Sequence, residues 1–373
     1  MVEPAITALT EQLKKLGNAS SLHSAGRAAR KDLEQAREII AEAIDCAASE
    51  VVFTSTGTEA NNLAVKGLYW QGVKSNKKVI ITSTFEHHAV ADPINWLAEH
   101  EGAQVVRIGV DRDGFIDLVE LKEKVNEHKN NIALISIMHS NNEVGTLQDI
   151  DQVVKIAGNI PVHSDCVQSF GKVDLSFNKL GLTAATISAH KIGGPLGVAA
   201  LILKRGLDIE PVLHGGGQER DLRSGTFNVP GIISFAAAAK NGVENRKERE
   251  LKVRELKQEL IETIKKNISD AWVNGNIDKS LPGIVSITFP KTDSEGLLLL
   301  LDGEGIACST GSACSAGVQR PSHVLLAMGL TEDETTSTLR FSLSYTNTIN
   351  EIAKLGSVIA TVVARSKAAS GKK

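Results

Sequence analysis

Short apolar runs alternate regularly with longer helical patterns along most of the first 200 residues of this sequence. Seven apolar runs have the length of strands, at 51–55, 78–83, 104–109, 132–138, 160–165, 185–189 and 198–204. Strands that are buried on both faces read as continuous apolar runs, and helical patterns lie between the first five of them. The alternation therefore predicts an α/β fold, in which a mostly parallel seven-stranded sheet lies between helices.

The charged segment 241–267 marks a change of character and predicts one long amphipathic helix that bridges two domains. Its apolar stripe consists of Leu251, Leu256, Leu260 and Ile264. A smaller C-terminal α+β domain is predicted beyond it, with strands at 284–289 and 339–343 and helices near 297–301, near 323–328 and from Ile349.

We therefore predict a large domain at 1–247 and a small domain at 248–373. A helix is also predicted at the N-terminus, because Ile6, Leu9 and Leu13 recur at helical spacing. The pattern leaves open whether this helix joins the large or the small domain.

Composition excludes several classes of protein. Of the 373 residues, 42% are hydrophobic and 23% are charged, as is typical of soluble globular domains. The net charge of −3 argues against direct binding of nucleic acid, and no apolar run reaches the ~18 residues of a membrane span. The four cysteines are too few for a disulfide framework, so we expect a reducing, cytoplasmic compartment.

The first candidate site is the stretch STGTEANN at 55–62, which follows a strand and opens a helical pattern. Gly57 permits a tight turn, and Thr58 offers a hydroxyl and an N–H group. The N-terminus of a helix at this point would favour a phosphate group. An ordinary strand-to-helix turn with a threonine cap is the alternative interpretation.

The second candidate site is HSDCVQ, where Asp165 ends an apolar strand and Gln168 follows shortly after. Ligands of open α/β sheets bind at the carboxyl ends of the strands. A carboxylate there can pair with a protonated heterocyclic nitrogen, and the amide can donate to a ring oxygen. An aspartate that caps the next turn explains the same residue equally well.

The third candidate is Lys191 in SAHKIGGPLG, directly after a buried-looking strand and just after Ser188 and His190. We expect a lysine in this position to be partly desolvated, which would lower the pKa of its amine and make it a nucleophile. A surface lysine at a strand end is the alternative.

The fourth candidate is Cys314, in the small-residue stretch CSTGSACSAG. This composition predicts a mobile, exposed loop, and an exposed cysteine suggests reactivity. Cys308, beside Ile306, is expected to pack instead. No C-x₂-C pattern exists and neighbouring His87 and His88 would point to opposite sides, so no metal site is predicted.

These motifs together resemble the NifS/IscS-type cysteine desulfurases of the class V aminotransferase family. The resemblance rests on the SAHK and HSDxxQ motifs, on GGGQERDLRSGT at 215–226 and on STGSACS, which resembles the catalytic loop of group I members. It covers nearly the whole chain and implies a fold-type I transferase that depends on pyridoxal 5′-phosphate (PLP).

The resemblance implies how PLP would be held. Lys191 would attach the cofactor covalently, Asp165 would pair with its ring nitrogen and Gln168 would hydrogen-bond its phenolic oxygen. Its phosphate would be bound by Gly57, Thr58, Ser188 and His190. Thr226 would reach the phosphate of the other subunit in a homodimer.

The resemblance also implies the catalytic roles. His87, in FEHHAV, would stack on the ring and is a candidate to shuttle protons. Asn142, in HSNNEVG, would contact cofactor or substrate, and Arg340, in LRFSL, would bind the substrate carboxylate. Cys314 would attack the sulfur of L-cysteine, which yields L-alanine and a persulfide on Cys314. The sulfur would pass to an acceptor protein for iron–sulfur cluster assembly or tRNA thiolation.

Relative to the family, the chain begins just after an A-T-T-P-type turn, and we expect this to affect activity more than fold. An alternative function is therefore a catalytically impaired sulfur-relay or scaffold protein on the same fold. A further alternative is another PLP-dependent aminotransferase or a selenocysteine lyase. Cys166, beside Asp165, is expected to be buried and inert.

Overall fold

All seven predicted strands form one sheet in the structure, a computed structural model that describes residues 1–311 and 321–371. The strands are β1 (Val51–Thr54), β2 (Val79–Ser83), β3 (Gln104–Ile108), β4 (Ile132–Ser136), β5 (Val162–Asp165), β6 (Ala184–Ser188) and β7 (Ala199–Leu203). Their order is β1-β7-β6-β5-β4-β2-β3, and β7 alone runs antiparallel to its neighbours. The predicted mostly parallel α/β sheet is confirmed.

Among the residues that the structure describes, the first unit also contains eight α-helices. They are α1 (Glu3–Leu13), α2 (Ser24–Ile44), α3 (Gly57–Val73), α4 (His88–Glu101), α5 (Leu118–His128), α6 (Ile150–Ala157), α7 (Phe177–Leu180) and α8 (Val229–Glu244). Leu63 of α3 and Ile94 of α4 belong to one buried cluster with Ile80 and Leu134 of the sheet. Burying aliphatic side chains of this size stabilises the fold by about 1.5–3 kcal/mol each.

The N-terminal helix α1 belongs to the first unit. The helix is present as predicted, although Ile6 and Leu13 of its apolar spacing are exposed while Ala5 is buried. The small Ala5 side chain lets α8 approach closely, and the Ser234 hydroxyl of α8 donates to the Ala5 carbonyl over 2.7 Å. Close packing therefore selects the small residue rather than the larger apolar ones.

The second unit contains a four-stranded antiparallel sheet in the order β10-β11-β9-β8. Its strands are β8 (Trp272–Asn274), β9 (Ile284–Thr288), β10 (Ser309–Thr310) and β11 (Thr338–Ser342). Its helices are α9 (Arg246–Asn267), α10 (Ser294–Gly303), α11 (His323–Ala327), α12 (Glu332–Thr335) and α13 (Ile349–Ser370). No helix within 1–311 or 321–371 has the length and hydropathy needed to cross a membrane.

The second unit is not one continuous stretch. It consists of Gly109–Asp117, Ser140–Gln148 and Lys247–Lys373. The two short segments join it through backbone pairing, as where Thr146 bridges Ser280 and Leu147 N–H donates to the Lys279 carbonyl over 3.0 Å. A local sequence pattern contains no signal for such long-range pairing. The predicted division at 247–248 stays a prediction.

The predicted single helix over 241–267 is wrong, since α8 ends at Glu244 and α9 begins at Arg246. Asn245 lies between them, and its side-chain amide donates to the Asn241 carbonyl over 2.8 Å. Side-chain amides that bond to the backbone compete with the helical ladder. Leu251 is exposed, while Leu256 and Leu260 enter the core of the second unit.

Candidate functional site

Four of the motif-bearing segments lie at one edge of the large sheet. Strands β2, β4, β5 and β6 run parallel, and β1 shares their direction because β1 and β6 are both antiparallel to β7. Their carboxyl ends therefore lie at the same edge. Ser55–Thr58 follow β1, His87 follows β2, Asp165 ends β5 and Lys191 follows β6. This is the edge at which α/β sheets bind ligands.

Asp165 is a buried carboxylate with fixed orientation. Its Oδ2 accepts a hydrogen bond from the Asn61 amide over 2.7 Å, and its Oδ1 accepts one from the Val167 N–H over 2.9 Å. Burial raises the pKa of Asp165, while these two hydrogen bonds and the positive charges of His87 and Lys191 oppose that shift. The ionised form of Asp165 would therefore be stabilised by any further positive charge placed beside it.

Asn61 is a site residue that sequence reasoning missed. It lies one turn after Gly57 in α3, on the face that meets the sheet. A Cβ atom at Gly57 would lie 3.2 Å from Val167 Cγ2, so glycine is what lets the start of α3 approach the end of β5. The helical spacing within STGTEANN was the available signal for Asn61.

His87 and Gln168 each have a hydrogen bond that fixes the role of one side-chain atom. His87 caps α4, and its Nδ1 accepts from the Ala89 N–H over 3.0 Å. When the ring is neutral, its proton is therefore on Nε2. Gln168 Oε1 accepts from Lys172 Nζ over 3.1 Å, which leaves the Gln168 amide group as the donor.

Glu86, also missed from sequence, is fully buried beside His87. Its Oε1 accepts from the Ser83 hydroxyl over 2.5 Å and from the Met138 N–H over 2.9 Å. Burial raises the pKa of Glu86 from its usual 4.5 to about 8, against these hydrogen bonds and with help from the negative charge of Asp165. Glu86 therefore joins the ends of β2 and β4 as a neutral acid.

Replacing Glu86 with glutamine is expected to change how stability depends on pH. The folded protein holds the proton of the Glu86 carboxyl group more tightly than the unfolded chain does. The stabilising contribution of this proton is therefore complete below pH 4.5 and is lost as the pH rises towards about 8. Glutamine keeps both hydrogen bonds and does not titrate. As the pH rises through this range, the free energy of unfolding of Glu86→Gln should therefore increase relative to that of the wild type, by up to about 1.4 kcal/mol per pH unit.

Urea unfolding at several pH values measures the difference. The variant and the wild type should be nearly equal in stability at the acid end. A difference that does not change with pH would contradict a neutral Glu86.

Lys191 lies in a single 3-10 turn, Ala189–Ile192, directly after β6. The expectation that it is partly desolvated is wrong for the single chain, where Lys191 is exposed, because the turn carries it beyond the edge of the sheet. The turn itself is held firmly. Gly193 has a φ of 81°, and its carbonyl accepts from the Val2 N–H over 2.8 Å.

The residues expected to bind a phosphate lie in two adjacent turns. Gly57 is buried at the start of α3 and Thr58 is exposed. Ser188 is within contact distance of Gly57, since a Cβ atom there would lie 3.6 Å from Ser188 Cβ. The Ser188 hydroxyl and His190 Nδ1 are 2.8 Å apart, and burial and nearby lysines lower the pKa of His190.

Thr226 is exposed in the loop 215–226. A buried, two-pronged ion pair fixes this loop, because Arg37 of α2 donates to both carboxylate oxygens of Glu219 over 2.9 Å. Arg37 also donates to the Val51 carbonyl over 2.8 Å. The loop is thus tied to β1 and α2 from within the first unit.

Asn142 and Arg340 lie together in the second unit. Arg340 Nη1 donates to the Asn142 carbonyl over 2.9 Å, and its Nε is buried without a hydrogen-bond partner among residues 1–311 and 321–371. Arg340 forms no ion pair with any residue in the part of the chain that the structure describes. A guanidinium with an unused buried N–H group is suited to a carboxylate ligand.

The cysteines divide into those that pack and the one that the structure does not describe. Cys166 is fully buried, as expected, and burial raises the pKa of its thiol to about 12. Cys308 is half-buried against the core of the second unit, and burial raises its pKa to about 11. The predicted nucleophile Cys314 lies outside the described residues. Within those residues, no cluster of histidine, cysteine and acidic side chains is suited to a metal.

Comparison with known protein families identifies the family of this chain. The family described as "Aminotransferase class-V" matches residues 1–355. The chain belongs to the class-V aminotransferase family. The resemblance that its motifs showed is thereby confirmed, and so is the fold class of that family.

Relatives and solved structures agree. An IscS-like cysteine desulfurase of Mycobacterium tuberculosis is 43% identical over 98% of this chain and 94% of its own length. The solved structure of a NifS-like protein superposes with a TM-score of 0.91 at 34% identity, covering 98% of this chain and 96% of that one. SspA in complex with cysteine superposes with a TM-score of 0.79 at 31% identity, covering 93% and 97%.

Proposed function

We propose that this class-V aminotransferase is a cysteine desulfurase that transfers sulfur from L-cysteine to Cys314. The observation that carries the proposal is the buried Asp165 carboxylate, oriented by Asn61, at the same sheet edge as the Lys191 turn and the start of α3. The name of the Mycobacterium tuberculosis relative supports the same activity.

The residues present fit PLP as the cofactor. Asp165 is a buried carboxylate that a protonated ring nitrogen would stabilise. Gln168 has its oxygen engaged with Lys172, so its amide group is left to donate to a phenolic oxygen. Lys191 supplies an amine, and the start of α3 with Thr58 and Ser188 supplies N–H and hydroxyl donors for a phosphate.

Separate residues of the chain would bind the substrate, move its proton and accept its sulfur. PLP, when bound, supplies an electron sink for the bonds at the substrate α-carbon. Arg340 would bind the carboxylate of L-cysteine, Lys191 would hold and move the α-proton, and His87 would carry its proton on Nε2. The Cys314 thiolate would attack the substrate sulfur. L-cysteine and the Cys314 thiol are thereby converted to L-alanine and a Cys314 persulfide, with every atom conserved.

The proposal extends to partners. Thr226 is exposed, as a residue must be if it is to reach a phosphate in a second subunit of a homodimer. The persulfide would be passed to an acceptor protein, for iron–sulfur cluster assembly or for tRNA thiolation, without direct contact to nucleic acid. The small number of cysteines is consistent with work in the reducing cytoplasm.

The test is turnover by the purified chain. We expect a yellow protein that releases L-alanine and, with a thiol reductant present, sulfide from L-cysteine in equal amounts. A keto acid in place of alanine would instead indicate an ordinary aminotransferase. Yellow protein without any product would indicate the sulfur-relay or scaffold alternative, and preference for selenocysteine would indicate a lyase.

A further inference from the structure

An ion pair joins the turn at the start of α3 to the loop that carries Thr226. Arg223 Nε donates to Glu59 Oε1 over 2.7 Å, and both side chains are 15% exposed. Arg223 Nη2 also lies 3.4 Å from Glu59 Oε2 and 3.4 Å from the Ser55 hydroxyl. The pair is therefore well shielded from solvent and has more than one contact.

Glu59 shapes the turn that precedes α3. Its Oε2 accepts from the Ser55 N–H over 2.9 Å and from the Ser55 hydroxyl. In return, the Glu59 N–H donates to the Thr56 hydroxyl over 3.0 Å, so the two ends of the turn are held reciprocally. Burial alone would raise the pKa of Glu59, but the hydrogen bonds from Arg223 and Ser55 outweigh it and lower the pKa. Glu59 is thus a carboxylate at neutral pH.

A carboxylate in this position presents an electrostatic problem for a phosphate site. The N–H groups and the dipole at the start of α3 favour an anion, and Glu59 already supplies one negative charge. A phosphate monoester brings up to two more, and like charges in a shielded turn repel each other strongly. An adjacent cation is needed for the turn to accept both anions.

The loop places Arg223 where that cation is needed. The loop is closed on itself, since the Glu219 N–H donates to the Arg223 carbonyl over 3.0 Å. The Gly225 N–H donates to Gln218 Oε1 over 2.7 Å. Thr226 directly follows this closure, so a single braced loop presents both the arginine and the threonine.

We infer that Arg223 is a positioning residue for the phosphate of PLP. Arg223 cancels the charge of Glu59 and ties the loop that carries Thr226 to the turn at Ser55–Thr58. The inference rests on the proposed function, because it takes PLP as the ligand. The charge of Arg223 explains why Glu59, which fixes the turn before α3, can lie in the first turn of a helix whose N-terminus would bind a phosphate.

The experiment compares two ligands that differ only in the phosphate. Apoprotein, freed of cofactor, is titrated with PLP and with pyridoxal, and binding is followed by visible absorption. Arg223→Gln leaves the charge of Glu59 uncompensated and is expected to weaken PLP binding roughly tenfold while pyridoxal binding stays the same. Glu59→Gln keeps an acceptor for Ser55 and should bind PLP at least as tightly as the wild type.

The double variant provides the rescue. Arg223→Gln with Glu59→Gln removes both charges, so PLP affinity should return to within roughly threefold of the wild type. The matched control is Arg254→Gln, which breaks an arginine–glutamate pair of the second unit, Arg254–Glu250, and should leave both affinities unchanged.

The outcomes separate the inference from the proposed function. If Arg223→Gln weakens PLP and pyridoxal binding equally, or if Glu59→Gln weakens PLP binding, the charge argument is wrong although the function stands. The Glu59→Gln variant tests whether the charge of Glu59 opposes phosphate binding even if Arg223→Gln folds poorly. If the wild type binds neither PLP nor pyridoxal, the proposed function fails and the inference fails with it.

Discussion

Cys314→Ser is expected to abolish the release of alanine and sulfide from L-cysteine, with turnover lowered by at least about a thousandfold. The thiolate is the reactive form of cysteine, and a serine hydroxyl can neither attack sulfur effectively at neutral pH nor hold it as a persulfide. The visible absorption of bound cofactor should be unchanged, because Cys314 has no role in holding PLP under the proposal. Steady-state assays and the absorption spectrum measure both.

Cys308→Ser is the matched control for this prediction. Its thiol is half-buried, and burial raises its pKa to about 11, so it is a poor nucleophile at neutral pH. Activity should remain within a few-fold of the wild type, and mass spectrometry should find the persulfide on Cys314 alone. Turnover by Cys314→Ser at the rate of the wild type, or a persulfide on Cys308, would contradict the assignment.

The strands of the large sheet could be predicted from sequence because their signal is local. Each buried strand is a short apolar run, such as the one that contains Ile132–Ser136, and a helical pattern separates it from the next. The strands that escaped prediction are shorter and more polar. Ser309–Thr310 is a strand only because it pairs with β11, and Trp272–Asn274 because it pairs with β9.

The candidate site divides in the same way. Asp165 and Lys191 could be named from their motifs, since Asp165 ends a strand pattern and Lys191 follows one. Their supporting residues could not, because the contacts connect distant parts of the chain. Asn61 and Asp165 are 104 residues apart, and Glu59 and Arg223 are 164 residues apart. The tertiary fold brings these pairs together, and a local sequence pattern does not contain it.

Glu86 shows a further limit of sequence reasoning. A glutamate beside two histidines reads as a solvated residue, since glutamates are rarely buried. In the structure it is buried, its pKa is raised to about 8, and it holds the ends of β2 and β4 together through Ser83 and Met138. Its burial could be inferred only once β2 and β4 were known to be neighbours.

Lys191→Ala is expected to remove both covalent attachment of the cofactor and turnover, the latter by at least about a thousandfold. The reason is that one amine would serve two roles, since it attaches PLP and then moves the α-proton of the substrate. Asp165 and the turn at Ser55–Thr58 remain, so the variant should still bind PLP, but reversibly. Borohydride reduction followed by mass spectrometry should find cofactor on the wild type and none on the variant.

Chemical rescue distinguishes loss of the amine from damage to the fold. Methylamine added to Lys191→Ala can replace the missing amine as a base, so part of the lost rate should return in proportion to its concentration. The control Lys204→Ala changes an exposed lysine just after β7, and it should retain full activity and the reducible attachment. If cofactor stays covalently bound in Lys191→Ala, another lysine is the attachment point, and the roles proposed for the residues at this sheet edge are wrong.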